Sequence, residues 1–370
     1  SCSQTGLKIC YYPIDFPDHD RFILTDKAVE GYLQQVADVI DQHREVLWGI
    51  FAGDEQDKLA MRQPFTAGGK LELPRHEVNH PIYTKVDAEV KEQYGFGKFG
   101  APLSLEDNNP FRRIAYYRYI NSRMRERHRK LRELIKQKAP ELVLMSTDPV
   151  AGLHPYEFSL QRENFDVFTH QTSPRSGDGP VITKLVSDLT GKDTWPCAHT
   201  EGSRNSVEDI RLLYSRLIAH GATGFHAYYA NIYTRPERPE LHSPYFSSPP
   251  RFNAFLRVCR IMQTMRKLAF PEKTALALFY SNYSNMADPG SLLYPGQRAN
   301  FHGWENHRAR GMLVRANHWF RFTDEHLLEK TIGSGLKVLV LPKVAYQDQD
   351  TFERMRGFVE NGGAIVCADP

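Results

Sequence analysis

The chain has 370 residues, of which 41% are hydrophobic and 25% charged, with a net charge of +3. That length exceeds what one hydrophobic core ordinarily carries, and the balance excludes a disordered, fibrous or disulfide-scaffolded chain. The small net charge argues against a nucleic-acid partner, and no apolar stretch reaches the roughly 18 residues that would make a membrane partner.

Short apolar runs alternate with amphipathic stretches, the pattern of parallel βα units. The first run spans residues 7–12 (LKICYY), and a helix over 26–43 follows, with Val29, Leu33, Val36 and Ile40 at three-and-four spacing. Residues 46–52 (VLWGIFA) form the second run. Residues 53–110, rich in Gly, Pro and charge, are expected outside the sheet on the side of the active site.

A helix near 111–138 comes next, and its basic run 123–132 (RMRERHRKLR) is predicted to be a solvated face. Strands follow at 142–145 (LVLM) and 165–169 (FDVFT), a short helix at 182–189, a strand at 195–199 (WPCAH) and an amphipathic helix at 206–220. Residues 224–229 (GFHAYY) and a helix over 253–268 close this series.

From residue 274 the runs become buried-type strands, 275–280 (ALALFY), 338–341 (VLVL) and 364–367 (AIVC), with helices between them. Pro271 breaks a helical pattern, so the boundary is placed there, dividing the chain into 1–270 and 271–370. Six βα-type units precede it, where a closed (β/α)8 barrel needs eight. The expectation is a TIM barrel whose first two units precede residue 1, followed by part of a doubly wound α/β domain.

In parallel barrels the reacting groups occupy the carboxyl ends of strands. Asp54-Glu55 follows VLWGIFA, and Glu201 follows WPCAH, so two carboxylates leave different strands toward one mouth. Retaining glycosidases need such a pair about 5 Å apart, one attacking the anomeric carbon and the other protonating the leaving oxygen. Loop glutamates more commonly cap helices or form ion pairs, and strand-end placement of both is what favours chemistry here.

Other strand ends carry Tyr12, Asp148, His170, Gln171, Tyr228, Tyr229 and Asn231, residue types that stack on sugar faces or hydrogen-bond hydroxyls. The five cysteines, Cys2, Cys10, Cys197, Cys259 and Cys367, are odd in number and lack CxxC spacing, which points to a reduced, metal-free protein. His199, His220 and His226 lack metal-ligand spacing. Gly95, Gly97 and Gly100 formally spell GxGxxG, but follow a helical pattern instead of a strand and precede Ala-Pro instead of a helix, so no dinucleotide site is expected.

Four segments carry a family resemblance. Residues 335–370 (GLKVLVLPKVAYQDQDTFERMRGFVENGGAIVCADP) are similar to the strand, Pro, helix and Val-Glu-x-Gly-Gly sequence of the family 42 glycoside hydrolases, β-galactosidases with a trimerisation domain behind the barrel. Residues 48–56 (WGIFAGDEQ) resemble that family's acid/base segment, residues 197–202 (CAHTEG) its nucleophile segment, and residues 220–230 (HGATGFHAYYA) its eighth strand.

The resemblance implies Glu55 as general acid/base, Glu201 as nucleophile, a β-linked carbohydrate substrate, no cofactor, and a homotrimer. Asp54 stands where the clan usually has Asn; while ionised it accepts but cannot donate a hydrogen bond, and its charge would raise the pKa of Glu55. A second reading therefore stays open, a relative that binds carbohydrate without cleaving it.

Overall fold

The computed structural model describes residues 9–11, 26–53, 110–146, 156–172, 179–198, 206–227, 249–265, 274–287 and 301–368. Within them β1 (Ile9–Tyr11), α1 (Asp26–His43), β2 (Leu47–Phe51), α2 (Pro110–Lys138), β3 (Val143–Met145), α3 (Phe158–Gln161), β4 (Val167–Thr172), α4 (Gly179–Thr190), β5 (Asp193–Ala198), α5 (Val207–Ala219), β6 (His226–Ala227) and α6 (Pro249–Met265) succeed one another. The six strands pair in sequential order, every pair parallel.

The sheet curls. In a flat sheet β2 and β5, three strands apart, would lie about 14 Å from each other. Yet the rings of Trp48 on β2 and Trp195 on β5 stack at 5.1 Å with planes 13° apart. Phe51 also meets the ring of His226, on β6, edge-on at 5.5 Å.

A register irregularity explains how β2 presents these rings. Ile9 pairs with Leu47 but Cys10 pairs with Gly49, so Trp48 is passed over. The extra residue lets Leu47, Ile50 and Ala52 join the helix-side core while Trp48 and Phe51 turn inward with Met145 and Val167.

Gly224, just before β6, makes room for the indole pair. A Cβ there would lie 2.3 Å from Trp195 Nε1. Gly224→Ala is expected to displace the indole, unstack it from Trp48 and lower stability by about 1–3 kcal/mol. Urea unfolding checks this, and an unchanged midpoint would contradict it.

The second sheet contains β7 (Leu276–Phe279), β8 (Arg321–Thr323), β9 (Val338–Pro342) and β10 (Ala364–Ala368), all parallel, in the order β10-β9-β7-β8. Helices α7 (Asn282–Ala287), α8 (Phe301–Arg315), α9 (Leu328–Gly333) and α10 (Gln349–Glu360) intervene. Ala277, Phe279 and Leu339 pack with Leu328, Met355 and Phe358 of α9 and α10. On the opposite face Leu278, Tyr280 and Phe322 join one continuous core with Leu47, Leu131, Phe168 and Val186 of the first unit. The two sheets thus share a core, which the sequence pattern alone did not indicate.

Two expectations change or fall outside view. The basic run is only partly a solvated face: Arg129 pairs with Glu126 and Glu133 in the open, whereas Arg127 is 2% exposed, with Asp26 of α1 3.6 Å away. His128, 1% exposed, contacts Gln161 at 3.2 Å. A helix packed on one side buries whatever its periodicity presents there, charges included. The expected boundary at residue 271 and the excursion at 54–109, with Gly95, Gly97 and Gly100, lie outside the described residues.

Candidate functional site

Alternation along β4 separates the two neighbours predicted at its end. His170 is fully buried toward α4: its Nε2 lies 2.9 Å from Thr183 Oγ1, whose hydroxyl donates to the Gly179 carbonyl at 2.8 Å. Burial holds the imidazole pKa down to about 4, keeping the ring neutral. His170 thus ties β4 to α4 through this contact. Thr172 shares that face, because Gly179 lies directly against its hydroxyl. Gln171, 7% exposed, takes the opposite face, where Val167 meets the inward rings.

At the carboxyl ends of the other strands, the last described residues are held by hydrogen bonds and packing. Tyr32 Oη of α1 donates to the Ala52 carbonyl at 3.0 Å. Gly53, the residue before Asp54 in the sequence, has φ of 148°, a conformation L side chains rarely adopt. Ser146 Oγ, after β3, accepts from Thr169 N at 2.9 Å, locking β3 to β4. Cys197 and Ala198 at the end of β5 are fully buried. On the far side of β5, Ser206 caps α5 reciprocally with Asp209, fixing the helix that follows the Glu201 segment.

Glu55, Glu201, Asp54, Tyr12, Asp148, Tyr228, Tyr229 and Asn231 lie outside the described residues. What the structure brings together are the strands from which both predicted acids depart, β2 and β5, through the Trp48–Trp195 stack. Among the described residues there is no group of three His, Cys, Asp or Glu side chains placed to hold a metal, and Cys10, Cys197, Cys259 and Cys367 are free thiols. No helix among them is long and apolar enough to cross a membrane.

A second polar cluster, missed from the sequence, joins the two sheets. Asp324 and Glu325, at the end of β8, are 0% and 2% exposed. Asn282 Nδ2 lies 3.2 Å from Asp324 and donates to Glu325 at 2.8 Å, and the Asn282 backbone N–H donates to Glu325 at 3.1 Å. Ser159 of the first unit donates to Asp324 in a short hydrogen bond, and Leu327 N donates to its other oxygen at 3.0 Å.

Burial pushes both carboxyls above the usual carboxylate range, and for Glu325 the nearby Asp324 charge adds to this. At the rim His326 loses hydration, but its 3.1 Å bond to Glu157 and the charge of Asp324 outweigh that loss and raise its pKa. The signal for this cluster was the acidic pair just after a strand too short, RFT, to be recognised.

In doubly wound sheets ligands favour the crevice where the strand order reverses. Here that crevice, between β7 and β9, is filled by the chain itself. Ser281 N donates to His302 Nε2 at 2.9 Å, His302 Nδ1 donates to the Pro342 carbonyl at 2.8 Å, and Ser281 Oγ donates to the Tyr346 carbonyl at 3.1 Å.

Solved structures share this fold. A β-galactosidase from Bacillus circulans sp. alkalophilus superposes with a TM-score of 0.66 at 15% identity, covering 93% of this chain and 55% of its own. A polyextremophilic β-galactosidase from the Antarctic haloarchaeon Halorubrum lacusprofundi gives 0.66 at 14%, with 94% and 57% covered. A GH42 β-galactosidase from G. stearothermophilus gives 0.65 at 12%, with 93% and 55% covered. The chain therefore spans a little over half the length of these enzymes. No protein-family model and no curated protein sequence matches it.

Proposed function

We propose that the protein is a retaining glycoside hydrolase acting on a β-linked glycoside of the β-galactoside class, with Glu201 as nucleophile and Glu55 as acid, then base. In this reading β1 to β6 are strands of a (β/α)8 barrel within residues 1–270, and β7 to β10 belong to a trimerisation-type domain within 271–370. The observation that carries it is the contact of β2 with β5 across the inner face, since the two acids follow those strands. Strands that meet through their rings can deliver side chains from their carboxyl ends across a gap of about 5 Å.

Supporting this, Gly53 just after β2 takes a φ that L side chains rarely adopt, and Ser206, shortly after Glu201 in the sequence, caps α5. Glu201 attacks the anomeric carbon as Glu55 gives its proton to the leaving oxygen; Glu55 then takes a proton from water, which displaces the sugar from Glu201. Asp54 favours one alternative, binding without turnover, because its charge raises the cost of ionising Glu55, which must give up its proton in the first step.

An aryl β-glycoside panel followed by proton NMR separates these readings. The expected result is release of the β-anomer first, from at least one glycoside. Calorimetric sugar binding without release would instead support the non-cleaving relative.

A further inference from the structure

We infer a second carbohydrate-binding site, for an acidic saccharide, in the groove between the two units at the amino end of β5. It is independent of whether Glu55 and Glu201 cleave anything. The groove encloses about 1060 Å3 and is walled by Lys192, Asp193 and Thr223 on one side and by Trp319, Lys330 and Ser334 on the other. β5 is six residues long, so its amino end lies about 17 Å from the carboxyl end where the candidate catalytic mouth opens. One ligand of monosaccharide size cannot occupy both.

Trp319 supplies the platform. It is 45% exposed, although a single exposed aromatic would mean little by itself. What distinguishes it is how it is fixed and what surrounds it. Asn317, with φ of 57°, ends α8 in a left-handed turn and sends His318 and Trp319 toward the groove. The Lys184 ammonium sits 5.1 Å from the Trp319 ring centroid and 5.0 Å from that of Phe320, and is anchored by Asp188 at 3.0 Å. Asp188 in turn accepts from Phe322 N at 2.7 Å. The indole is thus held from one side by a cation that is itself immobilised, an arrangement suited to stacking an apolar sugar face.

Charge selects the ligand class. Five cationic side chains line the groove, Arg162, Lys184, Lys192, Arg321 and Lys330, against three carboxylates, Glu163, Asp188 and Asp193. Two ion pairs, Glu163 with Arg162 at 2.8 Å and Asp188 with Lys184, use two charges of each sign, leaving Lys192, Arg321 and Lys330 against Asp193. A ligand with a pyranose face for Trp319 and a carboxylate or sulfate for Lys192 and Lys330 complements this surface. A neutral sugar satisfies only the ring, and an unstructured polyanion only the charge.

The test titrates the full chain with an oligogalacturonate trimer, a sulfated galactan trimer, neutral β-galactotriose and a single-stranded oligonucleotide, read by calorimetry. At least one acidic trimer is expected to bind at least tenfold tighter than the neutral one and the oligonucleotide, and the carboxylate and sulfate arms show which group is preferred. Trp319→Ala should weaken that binding at least tenfold, and so should Lys330→Glu, an exposed position where misfolding is not expected. Both variants should leave binding at the catalytic mouth, measured with a monosaccharide aryl glycoside, unchanged. No binding of either acidic trimer, equal binding of acidic and neutral trimers, equal binding of the oligonucleotide, or indifference to Lys330→Glu would overturn the site.

Discussion

Glu201→Gln is expected to lower turnover of any cleaved glycoside on the order of 10^4-fold, because no covalent intermediate forms without the carboxylate. Glu55→Ala should behave differently. It removes a proton donor worth roughly 10^2 to 10^4, but only where the leaving oxygen needs that proton. A dinitrophenyl glycoside, whose leaving group departs as a stable anion, should lose far less in its first step than an alkyl glycoside. Added azide should then restore dinitrophenyl turnover, since it attacks the glycosyl intermediate without general-base help. Equal losses on both substrates, or turnover unaffected by either substitution, would remove these residues from their roles.

Asn282→Ala is expected to destabilise the fold by about 3 kcal/mol, the scale of leaving buried charge without its partner. One amide serves both Asp324 and Glu325, which lie at the junction of the two sheets together with Ser159. The effect should depend on pH. Both carboxyls have folded pKa values raised by burial, so the native state holds their protons more tightly than the unfolded chain does. Their stabilising contribution is complete below the ordinary carboxylate pKa near 4 and is lost as pH rises through the raised value.

The loss on Asn282→Ala should therefore be larger at pH 7.5 than at pH 5. Whole-protein profiles carry an opposing effect. The buried His128, His170 and His302, held down to about 4 by desolvation, cost stability as pH falls below about 6.5, where the unfolded chain takes up protons first. The difference between parent and variant in guanidinium unfolding isolates the carboxylates. An equal loss at both pH values would contradict the assignment.

The alternation of strands and helices was legible because parallel strands buried on both faces read as apolar runs, and β2, β5, β7 and β9 all announce themselves this way. The ends were less legible. FDVFT gave a strand beginning at Phe165, whereas β4 runs from Val167 to Thr172, because pairing with β5 extends it through polar residues. That extension decides which of His170 and Gln171 faces inward. Strand parity can be assigned only once the register is known, and the register shift at Trp48 shows how one residue inverts it.

The inner Trp48–Trp195 pair was hidden for a related reason. Two aromatic residues separated by 147 positions carry no mutual signal until the sheet curls. Likewise Arg127 lies within a run whose composition suggests solvent, and only the approach of α1 determines which of its cations is covered.

The most direct measurement is trapping of the intermediate. Incubation with a 2-deoxy-2-fluoro β-glycoside bearing a dinitrophenyl leaving group slows the second step, so a retaining enzyme accumulates a glycosyl ester detectable by intact mass. The account predicts a single added sugar, mapped by peptide fragmentation to Glu201. Attachment at a different carboxylate, or no attachment while the same glycoside is still hydrolysed, would contradict it.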